Sequence, residues 1–402
     1  MKDIYYTILT QVVQMGGGLL VFKILTSKLS SLDFGIYALI LSFSAIIFTF
    51  PFTAIQQALI KYTSVLSQKR AIDIYKTIFI LDIVFFAIYI FLTIILFSIN
   101  LININSVGYV VVMAYIFSEV LKINNYMFLN SLRNRKKYFY SIFIEFFLKI
   151  LLLSALSNST KEVFIIFVIV NTLAIIYSKP NNLDLNLPNK IQFFYWSKMI
   201  YVFATPLAIW GIFGWMRDMS NRWIIEYYLT LNDVALFAVI NSLIVILPGA
   251  LQAFLGMFFM PILYKKEKKQ RGSIRKFNKN VIIIGFLIIF FGTIFIELTS
   301  EYIIILLSDI KYINGAWMLA PMFFAFSLFS LSMSTTAEIF AHNKTKLLLI
   351  PNIISGIISI VSFTLFIKLY AINGALYAFM LSYISYSIIT FIVVYRFKYD
   401  TK

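Results

Sequence analysis

Long apolar stretches separated by short polar or basic loops give this chain its pattern. Runs of about 16 to 20 or more apolar residues are long enough for helices that cross the hydrocarbon core of a bilayer. We predict twelve such helices, near 4–25, 35–56, 77–99, 108–131, 140–157, 163–178, 199–224, 234–256, 281–298, 314–337, 347–367 and 375–396. The pattern therefore predicts an all-α polytopic membrane protein.

Composition agrees with this pattern. Hydrophobic residues make up 61% of the 402 residues and charged residues 13%, against about 25% charged residues in an ordinary soluble domain. The mean hydropathy is +0.89. The chain has no cysteine, so it offers no disulfide, thiolate nucleophile or cysteine metal site. We expect no catalytic residue, no metal site and no cofactor beyond a coupled H⁺ or Na⁺.

The distribution of basic residues predicts the topology. The net charge of +17 could indicate nucleic-acid binding, but the lysines and arginines cluster in short loops between apolar spans. Of the 34 basic residues, 25 lie in the termini and in the loops after helices 2, 4, 6, 8 and 10, and four lie in the opposite loops. Basic loops stay on the cytoplasmic side. We predict no nucleic-acid partner and two cytoplasmic termini.

An internal repeat divides the chain. DFGIYALILS at 33–42 aligns with DVALFAVINS at 233–242, and the two share Asp, Ala, Ile and Ser at matching positions. An even number of helices separates the copies, which predicts parallel repeats. We expect a six-helix bundle at 1–178, a cytoplasmic linker at 179–198 with Pro180 and Pro188, and a second six-helix bundle at 199–402, arranged around a central cavity.

The seventh predicted helix carries unusual charge. Asp218 and Arg222 are four residues apart, so on a continuous helix they could neutralise each other, which would leave Arg217 over. An unpaired charge near the bilayer centre costs about 2.5 to 3.5 kcal/mol on insertion scales. We interpret the surplus charge as a site for an anionic substrate. Alternatively, Arg217 and Arg222 lie near the interface and only anchor the helix.

Polar side chains form stripes on otherwise apolar helices. They recur at helical spacing on helices 1, 2 and 8, and we predict that they line a shared cavity, although interhelical hydrogen bonding would give the same pattern. Glu119/Lys122 and Glu145/Lys149 are acid–base pairs that could neutralise themselves, with Lys122 the better candidate for substrate contact. The predicted substrate-binding set is Arg217, Arg222, Lys122, Gln11, Gln14, Gln56, Asn241 and Gln252.

Several segments resemble one family of transporters. SNRWIIEYYLTLNDVALFAVINSL resembles the seventh-helix signature of the polysaccharide (O-antigen) flippases of the multidrug/oligosaccharidyl-lipid/polysaccharide exporter superfamily. ILTSKLSSLDFGIYALI, SEVLKINNYMFLNSLRNRKKY, SEYIIILLSDIKYINGAWMLAPMF and IKLYAINGALYAFMLS are similar to other segments of that family. The chain departs from the family pattern at Asn221, where an aspartate usually precedes the arginine of helix 7, and its nearest acid is Asp218.

The resemblance implies a function. A member of this family would move an undecaprenyl-diphosphate-linked oligosaccharide, an O-antigen or capsule repeat unit, from the inner to the outer leaflet of the bacterial inner membrane by alternating access. Arg217 and Arg222 would attract the diphosphate and the polar stripes would accommodate the sugars. Membrane lipids and the polysaccharide polymerase machinery would be its partners. Asp218, Glu119 and Glu297 are candidates for coupling to protons or sodium.

Two other functions fit parts of the sequence. A cation-coupled multidrug exporter of the same superfamily would share the fold, but we expect it to favour an acidic cavity. A membrane glycan polymerase or glycosyltransferase needs large outer loops with catalytic groups, and the longest outer segment here, about 299–313, is short. The sequence also lacks a DxD sugar-nucleotide motif and an HExxH zinc motif.

Overall fold

The computed structural model describes residues 2–63, 66–98, 106–180, 188–254, 263, 267, 270, 272–342 and 344–397. The described residues are all-helical, and they divide into two compact units, Met1–Ile212 and Phe213–Lys402. The middle of the predicted linker, 181–187, lies outside the described residues, as does much of the basic loop at 264–271. The predicted domain bounds stay a prediction.

The helices of the first unit follow the predicted spans closely. A π-helical segment, Phe48–Thr53, separates the second helix from the third. The helices are α1 (Lys2–Lys28), α2 (Ser31–Ile47), α3 (Ala54–Thr63), α4 (Gln68–Ser98), α5 (Ser106–Ser131), α6 (Arg135–Leu156), α7 (Thr160–Ser178) and α8 (Lys190–Asp218), of which α8 continues past Ile212.

The second unit contains the remaining helices. Short 3₁₀ segments, Ile310–Gly315 and Thr345–Leu348, precede two of them. The helices are α9 (Asn221–Tyr228), α10 (Leu231–Phe254), α11 (Ser273–Leu307), α12 (Ala316–Thr335), α13 (Ala337–Ala341) and α14 (Leu349–Arg396). The last of these joins the predicted helices 11 and 12, and only Ala371, with φ 50° and ψ −133°, departs from helical geometry between them.

The described helices are those of a polytopic membrane protein. Ten helical runs in the described part of the chain are long and apolar enough to cross a membrane. Every predicted span has a helical counterpart, but α14 counts once among the ten, and α5 is not one of them. Large apolar side chains cover the outside of the helices, with Ile176 67% and Leu298 76% exposed. Such a surface suits lipid rather than water.

Helix packing within each unit depends on close approach. In the first unit, α1 packs on α6, and α5 and α6 pack on α7; in the second, α12 packs on α10, α11 and α14. Gly356 of α14 lies so close to α8 that an added Cβ would be 2.8 Å from the carbonyl oxygen of Phe213. Only glycine permits this contact without a shift of backbone.

The two repeat-related aspartates make equivalent helix caps. The backbone N–H of Asp33 donates to the hydroxyl oxygen of Ser30 at 3.0 Å, and that hydroxyl donates to the carboxylate of Asp33 at 2.7 Å. Asp233 and Thr230 form the same arrangement, with the hydroxyl donating to the carboxylate at 2.6 Å. This Ser/Thr-x-x-Asp cap satisfies N–H groups at the helix start. The shared geometry supports the internal repeat.

Two local features depend on their surroundings in the fold. The chain departs from helical geometry at Phe50, next to Pro51, whereas α10 runs through Pro248 as one helix. The sequence His342-Asn343-Lys344 is typical of a solvated loop. Instead the ring of His342 packs 5.6 Å from that of Phe397 and its Nε2 lies 3.4 Å from a carboxylate oxygen of Glu267.

Candidate functional site

A break in the predicted seventh helix shapes the charged cluster of the second unit. α8 ends at Asp218, and the N–H groups of Met219 and Ser220 both donate to the carbonyl of Trp215, at 2.9 and 3.2 Å. α9 begins at Asn221. The predicted helix 199–224 is therefore two helices, and Arg217 and Arg222 lie on opposite sides of a tight turn.

Arg217 is a buried cation with a carboxylate partner. Its side chain is 5% exposed, and it donates from Nε to Oδ1 of Asp218 at 2.7 Å and from Nη2 to Oδ2 at 3.0 Å. Nη1 donates to Oδ1 of Asn352 on α14 at 3.2 Å. This bidentate geometry is the strong form of an arginine–carboxylate contact. Arg217 is thus compensated, while Asp218 remains 38% exposed.

Aromatic rings complete the surroundings of Arg217. Its guanidinium carbon lies 4.6 Å from the ring centre of Phe329, 4.7 Å from that of Tyr386 and 5.5 Å from that of Tyr383. The hydroxyl of Tyr383 donates to Oδ1 of Asp218 at 2.7 Å. Cation–π contacts of this kind strengthen when water is excluded. Arg217 is therefore held by its surroundings in one position.

Arg222 is the surplus cation, which corrects the sequence-based pairing. Arg222 is 7% exposed. Its Nη1 donates to the backbone carbonyl of Asp218 at 3.3 Å and to the sulfur of Met219 at 2.7 Å. Within the described ranges, no carboxylate lies at ion-pair distance from Arg222. The predicted Asp218–Arg222 pair was wrong because the spacing rule needs a continuous helix, and the turn at 219–220 interrupts it.

In the first unit, four charged side chains form one network. Nζ of Lys122 lies 2.7 Å from Glu119 and 2.7 Å from Glu145, and it donates to Oδ1 of Asn171 at 3.1 Å. Lys149 also contacts Glu145, at 2.5 Å. The expectation of two separate pairs was too simple, because α5, α6 and α7 meet around one neutral cluster. All three protons of the Lys122 ammonium are used within it.

The predicted polar stripes lie at varied depths. Gln11 and Gln14 on α1 are half-buried, and Gln14 bonds to Tyr138. Gln56 on α3 is 3% exposed and Asn241 on α10 is 8% exposed, and Oδ1 of Asn241 has no hydrogen-bond partner. Gln252 is half-buried near the end of α10. In the part of the second unit that the structure describes, no hydrogen bond links Asn241 or Gln252 to Arg217 or Arg222.

The three candidates for ion coupling differ in their surroundings. Asp218 is paired with Arg217, and Glu119, 17% exposed, is paired with Lys122 and accepts from Asn171 at 2.9 Å. Glu297 is exposed on α11. No group of three or more His, Asp or Glu side chains in the described ranges could hold a metal ion.

The sequence interpretation missed the aromatic part of the cluster. Phe329 lies on α12, and Tyr383 and Tyr386 lie on α14. The spacing of three between the two tyrosines places them on one helix face, so a signal existed. It was hidden because tyrosine counts as apolar in a membrane span, and because nothing in the sequence brings α12 next to the end of α8.

Comparison with solved structures identifies the fold. A lipid II flippase MurJ in an inward closed conformation matches with a TM-score of 0.74 at 14% identity, covering 98% of this chain and 88% of that one. An inward-facing multidrug resistance MATE family transporter of the MOP superfamily matches at 0.64 with 13% identity, covering 96% and 94%. A MOP superfamily transporter from Pyrococcus furiosus, described as having a binding pocket of reversed polarity, matches at 0.56 with 13% identity, covering 97% and 93%.

These likenesses establish a shared fold, that of the multidrug/oligosaccharidyl-lipid/polysaccharide exporters. No family model and no curated protein sequence matches the chain. The charged cluster around Arg217 and Arg222 must therefore be interpreted from its own geometry.

Proposed function

We propose that this protein is a flippase that moves an undecaprenyl-diphosphate-linked oligosaccharide from the cytoplasmic to the outer leaflet of a bacterial inner membrane by alternating access. The observation that carries the proposal is Arg222, a buried guanidinium in a membrane-spanning unit with no described carboxylate at ion-pair distance. A transporter fold shared with a lipid II flippase supports it, because that protein's name describes a lipid-linked substrate.

The balance of buried charge favours an anionic substrate. In the first unit, Lys122 and Lys149 are matched by Glu119 and Glu145. In the second unit, Asp218 matches Arg217 and leaves the charge of Arg222. A desolvated cation needs a counter-charge or becomes costly. A diphosphate would supply that counter-charge and could accept several N–H donors from one guanidinium.

Neutral polar side chains suit the remainder of such a substrate. Asn241 carries an unpartnered amide oxygen, and the half-buried Gln11, Gln14 and Gln252 add amides in the two units. Sugars present hydroxyl groups that both donate and accept, so amides are complementary to them. We assign these residues, with Gln56, to the sugar chain and Arg222 to the diphosphate. Lys122 is enclosed in its own network, so it is the weakest candidate for substrate contact.

The membrane potential would favour this direction of transport. With a negative cell interior, moving one elementary charge across 100 mV is worth about 2.3 kcal/mol, so a doubly negative headgroup would gain roughly 4 to 5 kcal/mol on moving outward. The predicted topology, with cytoplasmic termini, would place the basic loops on the side where the substrate is made. The polymerase machinery that consumes such units would then be the downstream partner.

A multidrug exporter is the second candidate, because one observation favours it. Asp218 is 38% exposed and lies beside Tyr383, and a carboxylate next to an aromatic ring can bind an organic cation. The match to a multidrug resistance transporter also covers nearly the whole chain, with a TM-score of 0.64 against 0.74 for the flippase. Charge separates the two candidates, since a cationic drug would be repelled by Arg222 and a diphosphate would be attracted.

The deciding experiment is a flipping assay in proteoliposomes with a fluorescent undecaprenyl-diphosphate oligosaccharide. We would compare the native protein with Arg222→Gln and Arg222→Lys, and with Arg396→Gln, which changes an exposed arginine at the end of α14. We expect Arg222→Gln to reduce flipping about tenfold or more, equivalent to at least about 1.4 kcal/mol. Arg222→Lys should keep part of the rate because it keeps the charge, and Arg396→Gln should keep all of it.

Two outcomes would redirect the assignment. Unchanged flipping in Arg222→Gln, at equal protein levels, would mean that Arg222 only anchors α9 and does not bind substrate. Absence of native flipping, together with export of a cationic dye that Asp218→Asn abolishes, would establish the drug exporter instead.

A further inference from the structure

An enclosed carboxyl group lies in the middle of α4. Asp82 stands in the apolar sequence TIFILDIVFF, at the midpoint of the candidate span Arg70–Ile95. It has no exposed surface in the structure. Neither the flippase proposal nor the predicted coupling residues use it.

Asp82 has too few hydrogen-bond donors for an ionised carboxylate. Nδ2 of Asn124 on α5 donates to Oδ2 of Asp82 at 2.5 Å. Oδ1 of Asp82 has no partner, and neither has Oδ1 of Asn124. An ionised carboxylate only accepts hydrogen bonds, whereas a protonated one also donates. One added proton would supply the donor that this buried pair lacks.

Cations on the neighbouring helices are engaged elsewhere. α4 packs against α3 and α5. On α3, Nζ of Lys61 lies 4.0 Å from the ring centre of Phe203; on α5, Lys122 pairs with Glu119. On α4 itself, Arg70, Asp73 and Lys76 lie towards the N-terminal end. In the described ranges, no cation is at ion-pair distance from Asp82, so a counter-ion does not stabilise its charge.

A polar seam, formed by Tyr75, Asn125 and Ser178, lies beside this site along α4 and α5. Tyr75 is seven residues before Asp82, which is about two turns along the same face. Its hydroxyl donates to Oδ1 of Asn125, next to Asn124. Nδ2 of Asn125 donates to the hydroxyl of Ser178 at 3.1 Å, at the end of α7. The hydrogen bonds of these three residues run towards the side that the basic loops predict as cytoplasmic, and water that enters between α4 and α5 would join them to Asp82.

We propose that Asp82 with Asn124 is a proton-binding site, which holds a proton while α4 and α5 enclose it and releases that proton when the helices separate and water enters. In the protonated form, Asp82 donates a hydrogen bond within the enclosed pair. In the ionised form, its carboxylate needs hydrogen bonds from water. Two unpartnered oxygens suit a proton better than a metal cation, because hard cations take about six oxygen ligands. The site would couple transport to the proton gradient; only this coupling rests on the proposed function.

Infrared difference spectroscopy of the full-length protein in lipid nanodiscs tests the site without any substrate. The spectrum of each variant is subtracted from that of the native protein. At neutral pH, the native protein should show a carboxylic-acid C=O band that is lost in Asp82→Asn and shifted in Asn124→Leu. Asp82→Asn is nearly isosteric with the protonated acid, so it should fold. Glu301→Gln, which changes an exposed carboxylate on α11, should keep the band.

The spectra can overturn the proposal in two ways. Absence of the acid band from the native protein at neutral pH would show that Asp82 is ionised. Loss of the band on addition of sodium at constant pH would show that the pair binds a metal cation instead.

The transport arm uses the flipping assay with an imposed pH gradient across the proteoliposome membrane. Native flipping should respond to the gradient and Asp82→Asn should lose that response, while Glu301→Gln keeps it. A native acid band with no flipping of any lipid-linked glycan would leave the proton site intact and refute the proposed function. Flipping by a native protein that shows no carboxylic-acid band would support the proposed function and refute the proton site.

Discussion

The two buried arginines differ in how their charge is held. Arg217 has a bidentate carboxylate, an amide and three aromatic rings around it. Arg222 has a backbone carbonyl and a thioether. A guanidinium with five donors is poorly satisfied by one carbonyl and one thioether, both contacted by the same Nη1, so Arg222 is the one prepared to meet an anion. Arg217 holds α8 to α14.

The pairing of Arg217 with Asp218 gives a prediction about stability. Asp218→Asn should lower the free energy of unfolding by roughly 1 to 3 kcal/mol, since it leaves a buried cation without its counter-charge. The partial exposure of Asp218 limits the effect. Adding Arg217→Gln to Asp218→Asn should cost less than the sum of the single changes. Thermal unfolding in detergent measures the cycle, with the exposed Glu226→Gln as control. Additive effects would mean that the two side chains do not interact.

Lys122 should act mainly on stability. Lys122→Met leaves Glu119 without a cation inside the first unit, and we expect a loss of about 3 to 5 kcal/mol. Lys149→Met should cost less, because Glu145 keeps both Lys122 and Tyr126. Unfolding midpoints of the two variants, together with the flipping rate of the protein that remains folded, separate stability from binding. A stable Lys122→Met variant with slow flipping would instead make Lys122 a substrate contact.

At the scale of helices, hydropathy predicted where the helices lie but not where a helix is interrupted. The positions of the helical spans were predictable because apolar length in a membrane protein is a direct physical requirement, although the last two predicted helices form one helix, α14. The end of α8 at Asp218 was not predictable, since WMRDMSNRW contains neither proline nor glycine, and the turn depends on how α9 packs against α14 and α10. Asp82 was visible as an acid in an apolar run. Its enclosure by Asn124 could not be known before α4 and α5 were placed together.

The equivalent helix caps lead to a prediction at this scale. Asp233→Ala should lower stability by about 1 kcal/mol, as expected for loss of an N-terminal cap. Asp33→Ala should cost more, because it also removes the hydrogen bond that the hydroxyl of Thr160 donates to the Asp33 carboxylate at 3.2 Å. The 2.8 Å bond from the same hydroxyl to the backbone carbonyl of Asp33 would remain. Thermal unfolding of both variants, with Lys161→Ala as an exposed control, checks the order. Equal losses would mean that the contact of Thr160 with the Asp33 carboxylate adds nothing.

Across the whole molecule, apolar surface and basic loops carry separate information. The exposed apolar side chains indicate that the helices lie in lipid, but they do not distinguish one side of the membrane from the other. The lysines and arginines do, since they favour the cytoplasmic side. The direction of flipping and the direction from which protons reach Asp82 both depend on this orientation.

The chain contains no cysteine, so the native protein is a ready background for testing orientation. We expect Lys161→Cys and Lys368→Cys to react with a membrane-impermeant maleimide in intact cells, because the basic-residue pattern places both outside. Lys136→Cys and Lys346→Cys should react only after permeabilisation. All four positions are exposed, so differences in labelling report the side of the membrane rather than burial.

The labelling pattern also tests the proposals above. Two of the positions lie in each unit, so an inverted pattern in only one unit would contradict the parallel repeat, which requires both units to have the same orientation. An inverted pattern in both units would be consistent with the parallel repeat, but it would place the Ser178 end of the polar seam outside. Outward flipping would then have to begin on the side opposite to the basic loops, where the positive charge that attracts a diphosphate is absent.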